Sequence, residues 1–298
     1  MLNIYEQVDT NKRKSLLIMI SFVGFIVAVS YLLAYSLNYP LSFVALALVL
    51  SVLASLSSFY YSDRLILGLS RAQPANRDQH FHFYTAAENL SLAAGLPVPK
   101  LYVINDTALN AFATGRDPQH AVVCVTTGLL HQLDRTELEG VIAHELAHIK
   151  NFDTRLMTLV TVLVGVVALL ADLLLRGTLL GGRRRQDKSG LDAILLLIGL
   201  VLALLSPLIA TLIKLAISRR REFLADATGA AITKYPEGLA RALEKIAADP
   251  EPLEVANKAT AHLYIANPLK NHHDAVSFFS SLFATHPPIN QRIAALRS

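Results

Sequence analysis

Asp134-Arg-Thr-Glu137-Leu-Glu-Gly-Val-Ile-Ala-His144-Glu145-Leu-Ala-His148-Ile-Lys-Asn151 is the stretch on which the reading of this chain turns. Asp134 followed by Glu137 has the form of a capping box, which predicts a helix starting there and running to about Asn151. Leu138, Ile142, Leu146 and Ile149 recur along it at helical spacing, so one stripe packs on a core. His144 and His148 lie four residues apart and share a face. Two imidazoles so placed can bind one zinc ion, with Glu145 beside them to take up a proton. The plain alternative is a helix with two incidental histidines and a surface glutamate. A chain with 10 His yields H-E-x-x-H by chance about once in a hundred sequences, and the cap and stripe argue further for a built site.

A catalytic zinc takes three protein ligands and keeps one position open. The extended motif with a further Gly and His is absent, because Asn151 and Thr154 stand at those positions. The third ligand must come from elsewhere, and Glu222-Phe-Leu-Ala-Asp226 offers a candidate. Its two carboxylates, four apart, face the same way: Glu222 to bind the metal, Asp226 to hold the second N–H of a ligand histidine. By spacing alone the same pair reads equally well as ordinary carboxylates on a helix surface.

Outward from these motifs the chain turns apolar. Of 298 residues 53% are hydrophobic and 17% charged, against about 25% charged in a soluble domain. That content excludes disorder, and the single Cys124 excludes an internal disulfide framework. The net charge of +4 does not indicate nucleic acid, since the basic residues flank apolar stretches. No charged residue occurs between Lys14 and Asp63, and Asn38-Tyr39-Pro40 divides this run into spans near Ser15–Leu37 and Leu41–Tyr60. A cleaved signal peptide has a shorter apolar region, so an uncleaved helical hairpin is expected. Leu156–Leu175 and Ala193–Ile213 are two further stretches of spanning length, interrupted by Asp172 and Pro207.

Lys12-Arg13-Lys14 before the first span places the N-terminus in the cytoplasm by the positive-inside rule, and the second span returns the chain there. The loop between the third and fourth stretches carries Arg176, Arg183, Arg184, Arg185 and Lys188, which conflicts with the rule if both stretches cross. Either this pair is a re-entrant or partly inserted hairpin, or the rule fails here. Both readings bring the motif helix and Glu222 to the same membrane face.

The polar parts read as mixed α and β. A helix over Phe83–Ala94 stops at Gly95, and Lys100–Ile104 and Ala121–Val125 are β-branched runs that predict strands. Asn110–Gly115 between them is a loop or an edge strand. A helix carries Glu222 and Asp226, and further helical patterns cover Gly238–Ala248 and the end of the chain from Arg292. Arg219-Arg220-Arg221, next to an apolar stretch, are expected to meet lipid headgroups. Four parts follow: a hairpin over 1–62, a polar half over 63–155, a second hydrophobic hairpin over 156–217, and a second polar half over 218–298.

The residues Asn110–Gly115, His144–His148 with Asn151 and Asp153, Arg221–Asp226, and His286-Pro287-Pro288 with Arg292-Ile293 resemble the HtpX family of membrane-bound zinc metalloproteases, in the same order along nearly the whole chain. The resemblance implies an α+β zincin-like metalloprotease domain, mostly helical with a small sheet, fused to four hydrophobic membrane helices. It implies one Zn2+ per chain and a multi-pass protein of the cytoplasmic membrane with its protease domain facing the cytoplasm. Its partners are the lipid bilayer and polypeptide substrates, misfolded or damaged membrane proteins among them. His286 is a second catalytic candidate, for the oxyanion, by resemblance to the family's His-Pro element; the bland reading is a histidine in a proline turn. Asn110, Ala111, Phe112, Ala113 and Thr114 are expected beside the substrate, whose extended backbone can pair with an edge strand. Site chemistry similar to the CAAX prenyl proteases is implied, although those have more spans. An intramembrane protease would carry its motif inside a hydrophobic span, and a dead adaptor would lack a ligand or the base; neither fits this sequence.

Overall fold

The computed structural model describes residues 4–36, 40–163, 219–256, 260–268 and 287–298. Two long helices open the chain, α1 (Ile4–Ser36) and α2 (Leu41–Leu69), packed on each other. α2 carries its apolar residues outward: Leu46, Leu50, Leu53 and Leu56 are exposed, while Ser51, Ser55, Ser58 and Ser62 are buried. Small residues at spacings of three and four let two helix backbones approach closely, and an apolar exterior suits lipid. Among the described residues α2 is the helix long and apolar enough to cross a membrane. It does not stop at the expected boundary of the polar half. It runs unbroken through Asp63 to Leu69, so hairpin and body share one rod.

The body follows. Strands β1 (Gln73–Pro74), β2 (Lys100–Ile104), β3 (Ala111–Thr114) and β4 (Val122–Thr126) form a sheet of order β1-β2-β4-β3. β2 and β4 run parallel, and the outer strands pair antiparallel. Every residue of β4 is buried, Cys124 included, as a β-branched run in the middle of a sheet should be. The expected strand over Ala121–Val125 is shifted by one residue. Helix α3 (Phe81–Ala94) ends at Gly95, which takes φ 69° and closes the helix in the left-handed conformation. A short α4 (Thr127–Gln132) has Thr126 as its cap.

Helix α5 (Arg135–Lys150) holds the H-E-x-x-H motif. Its capping box forms as the sequence predicts: Glu137 N–H donates to Asp134 Oδ1 at 2.9 Å, and Asp134 N–H to Glu137 Oε2 at 2.8 Å. The expected apolar stripe is buried, but burial does not stop at a stripe, since every residue from Gly140 to Ile149 is inside. The reason is packing on several sides. α3, β3 and β4 cover one part of α5, while α6 (Arg219–Thr233) and α7 (Pro236–Ala248) close over the rest. Two glycines permit this approach. A Cβ on Gly140 would stand 2.6 Å from Leu239 N in α7, and one on Gly229 of α6 would stand 3.0 Å from His144 N. The last helix, α8 (Ile289–Leu296), packs on α6 and α7.

After α5 the chain turns sharply at Phe152, whose φ of 58° is unusual for an aromatic residue, and residues 153–163 are again helical. Most of Leu156–Leu175, all of Ala193–Ile213 and the basic loop between them lie outside the described residues, as does His286.

Candidate metal centre

α5 and α6 place the three expected ligands together. His144, His148 and Glu222 are buried, and one ligand atom from each lies within 4.8 Å of the others. The two imidazoles meet edge to face, Nε2 to Nε2 at 3.2 Å. Glu222 Oε1 lies 3.6 Å from His148 Nε2, and Oε2 lies 3.9 Å from His144 Nε2.

Each Nδ1 faces a carboxylate behind it: His144 Nδ1 is 2.9 Å from Asp226 Oδ1, and His148 Nδ1 is 3.1 Å from Asp153 Oδ2. Those contacts hold the protons on Nδ1 and leave both Nε2 lone pairs directed at one point, which Glu222 also faces. Three electron-pair donors converging inside a protein repel one another unless a cation sits among them. The donor set of two imidazoles and one carboxylate therefore fits a divalent metal such as zinc.

The electrostatics agree. Burial and the Arg292 charge push His144 down to about 4 against the pull of Asp226, so this ring is neutral near pH 7 and able to coordinate. Burial also acts to lower His148, but the Asp153 hydrogen bond and the charges of Glu222, Asp153 and Glu145 outweigh it and leave the ring at about 9. Positive charge is thus favoured where the ligands converge, whether a proton or a metal supplies it.

Glu145 sits next to the ligands, buried, with a carboxyl that burial raises to about 7. The Ala113 backbone of β3 faces it and acts the other way, favouring the charged form. A cation at the convergence point acts on Glu145 in the opposite direction from burial.

Arg292 of α8 is buried completely and grips Asp226 through two bonds, Nε to Oδ2 at 2.9 Å and Nη2 to Oδ1 at 2.7 Å. It also reaches within 3.7 Å of Glu222 Oε2. Burial would raise the Asp226 carboxyl, but Arg292 and His144 outweigh it and hold Asp226 down at about 2. The motif resemblance contained Arg292 without giving it a role. Its partner, 66 residues away in sequence, is set by tertiary packing.

Arg221 corrects an expectation. It is not at a headgroup surface: it is buried, with Nη1 3.3 Å from Asp153 Oδ1, whereas its neighbour Arg220 is exposed.

Asn110 to Thr114 are buried, and β3 is the outer strand of the sheet. The Ala111–Phe112 part of that outer edge already has a partner, a short segment of the chain's own C-terminal half. Phe112 bridges Tyr264, Ile265 N–H donates to Ala111 O at 2.9 Å, and Asn110 Nδ2 donates to Ala266 O at 3.2 Å. Ala113, next along the strand, is the residue that faces Glu145.

The pattern of peptidase family M48 matches residues 77–298, which include both helices of the metal site. The chain belongs to family M48. Within M48 it is 44% identical over 298 residues to a protein named Protease HtpX homolog from Thermoanaerobacter pseudethanolicus, covering 99% of this chain and 97% of that one. A Protease HtpX homolog from Dictyoglomus turgidum is 46% identical over 301 residues, covering 98% and 94%. The HtpX resemblance read from the motifs therefore extends over nearly the whole chain. In fold, this M48 chain is similar to the crystal structure of S. mikatae Ste24p, at 18% identity and a TM-score of 0.51, over 99% of this chain and 67% of that one. As an M48 member this is a metalloprotease, mostly helical with a small mixed sheet.

Proposed function

We propose that this chain is an integral-membrane zinc endopeptidase that hydrolyses peptide bonds of misfolded or damaged membrane proteins at the cytoplasmic face. The observation that carries the reading is the convergence of His144 Nε2, His148 Nε2 and the Glu222 carboxylate, with each Nδ1 held from behind and Glu145 alongside. His144, His148 and Glu222 hold the ion, and Asp226 and Asp153 fix the two rings. Zinc bound there supplies Lewis acidity, polarising the scissile carbonyl and acidifying the attacking water.

Glu145 takes the proton of that water on its carboxylate and returns it to the leaving amine nitrogen. Ala113 faces Glu145 and lies at the part of β3 beyond the segment 264–266. An extended substrate laid along β3 is thereby directed to the Ala113–Thr114 end, within reach of the base. His286 is the candidate partner of the oxyanion. It directly precedes the Pro287-Pro288 pair, and α8 beyond that pair delivers Arg292 to the same centre.

The inverted pattern of α2, serines inward and leucines outward, supports insertion of the N-terminal hairpin. The basic Lys12–Lys14 flank supports a cytoplasmic body. The four-part organisation has the two polar halves joining across the second hydrophobic stretch, which accords with the packing of α6 on α5. That stretch either spans twice or re-enters on the same side.

The test is proteolysis of casein by detergent-purified protein, comparing wild type with Glu145→Gln, with zinc and with a chelator. Zinc-dependent cleavage that falls by a factor of about 100 to 10,000 in Glu145→Gln, with zinc content retained, is the expected result. Cleavage that survives the chelator, or a Glu145→Gln variant as active as wild type, would overturn the mechanism.

A further inference from the structure

The carboxylate behind His148 is held by the N-terminal helix. Asn11 of α1 is fully buried although it directly precedes Lys12-Arg13-Lys14. Its amide uses both protons on one turn: Nδ2 donates to Asp153 Oδ1 at 2.7 Å and to Asn151 O at 2.9 Å. Its Oδ1 lies 3.4 Å from Arg221 Nη1. Asp153 is divided between two tasks, with Oδ2 facing His148 Nδ1 and Oδ1 taken by Asn11 and Arg221. The neighbouring Lys12 Nζ stands 4.7 Å from the centre of the Phe152 ring. Asn11 and Lys12 together therefore grip residues 151–153, the turn whose central residue has positive φ. Such a conformation persists where surrounding contacts impose it.

We infer that Asn11 is a positioning residue of the metal centre: it orients Asp153, Asp153 orients His148, and the N-terminal hairpin is thereby part of the site's framework. This inference rests on the proposed metal site and goes beyond it, because no ligand or base belongs to α1. An amide suits the position. One group must donate to a carboxylate and a carbonyl while accepting from a guanidinium, and a carboxylate at 11 could not donate. It would also set two like charges at hydrogen-bond distance. The chemical consequence is that displacing α1 relative to the body leaves Asp153 Oδ1 with the longer Arg221 contact of 3.3 Å, so the carboxylate that fixes the His148 ring is held less firmly.

The experiment uses the full-length chain in detergent and reads metal binding apart from turnover. Zinc affinity is measured by chelator competition, and ligand geometry by the visible absorption of the Co2+-substituted protein. Asn11→Ala is expected to weaken zinc about 10-fold, the lower end of what loss of an outer-shell partner causes, and to alter the Co2+ bands. Ser15→Ala is the control. Ser15 is also fully buried one turn further along α1 and, among the described residues, bonds the Asn11 carbonyl and no group of the metal centre, so its loss should leave affinity and bands as in wild type. Where Asn11→Ala does not accumulate, the similarly shaped Asn11→Asp is read instead and is expected to weaken zinc by a comparable factor. Wild-type affinity to within about two-fold with unchanged Co2+ bands in the Asn11 variant would overturn the inference. Equal weakening by Ser15→Ala would overturn it too, since that signals general displacement of the helix. Wild-type protein that binds no zinc would instead sink the proposed metal site, which separates the two failures.

Discussion

The rod α2 and the body it joins obey opposite rules. In its first part Leu46, Leu50, Leu53 and Leu56 face outward and Ser51, Ser55 and Ser58 face inward; near its end Ile66 and Leu67 are buried against the body. The body itself has the order expected in water, with Leu129, Val141, Ile142, Leu146 and Leu243 inside. The helix ends differ as well. α5 starts on a full capping box, whereas α2 starts after Pro40 with no side-chain cap. The apolar exterior of α2 thus suits the lipid proposed for it, while the body follows the order expected in water. Where water is available, burying apolar surface drives packing; where lipid replaces it, close contact of small residues does.

The same substitution made on the two sides tests this contrast. Leu129→Ala in the body should cost about 2–5 kcal/mol, because it empties a fully enclosed site. Leu50→Ala should cost far less, and chemical denaturation of both variants in detergent measures the difference. Equal losses would mean that α2 is packed against protein on its outer face. The reverse change is the next largest. Leu50→Arg should disfavour membrane integration by about 3–4 kcal/mol, read as the fraction retained after alkaline extraction of membranes. An unaffected variant would remove lipid from that face.

Ser55→Leu inverts the pattern from the inside and should destabilise the hairpin by about 1–3 kcal/mol through overpacking. A neutral outcome in unfolding measurements would show that α1 and α2 are not in close contact there. The smallest effect concerns the capped end of α5. The Glu137 amide, then the Thr136 hydroxyl, hold the Asp134 carboxyl below its ordinary value. Its contribution is therefore present above the unfolded pKa of about 3.9 and is lost as pH falls through the lower folded value. Asp134→Ala should cost about 1 kcal/mol at neutral pH, and the gap to wild type should close in acid. A gap independent of pH would mean that the charge plays no part in the cap.

Much of this was legible in the sequence because it is local. The capping box, the four-residue spacing of His144 and His148, the uncharged run from Ser15 to Ser62 and the strand over Lys100–Ile104 each follow from neighbours along the chain. Glu222 and Asp226 could be nominated by spacing, but spacing could not distinguish them from surface carboxylates. What distinguishes them is the approach of α6 to α5 over Gly229. Arg221 was legible only as one of three arginines beside an apolar stretch, and its burial against Asp153 depends on an element 68 residues away. Asn11 gave no local signal, since an asparagine next to three basic residues looks solvated. Its partner Asp153 is 142 residues distant.

By itself, then, the sequence nominated the candidate metal-binding residues and determined the helix that presents two of them and the hydrophobic character of the rest, because propensity, capping and periodicity are properties of short stretches. Only the tertiary structure decided which carboxylate serves which histidine and what holds that carboxylate in turn. It also decided that residues 264–266 border the outer strand next to Glu145. The reason is physical. A carboxylate's role at a metal depends on tenths of an ångström and on whether water can reach it, and both are set by which distant helices close over the site.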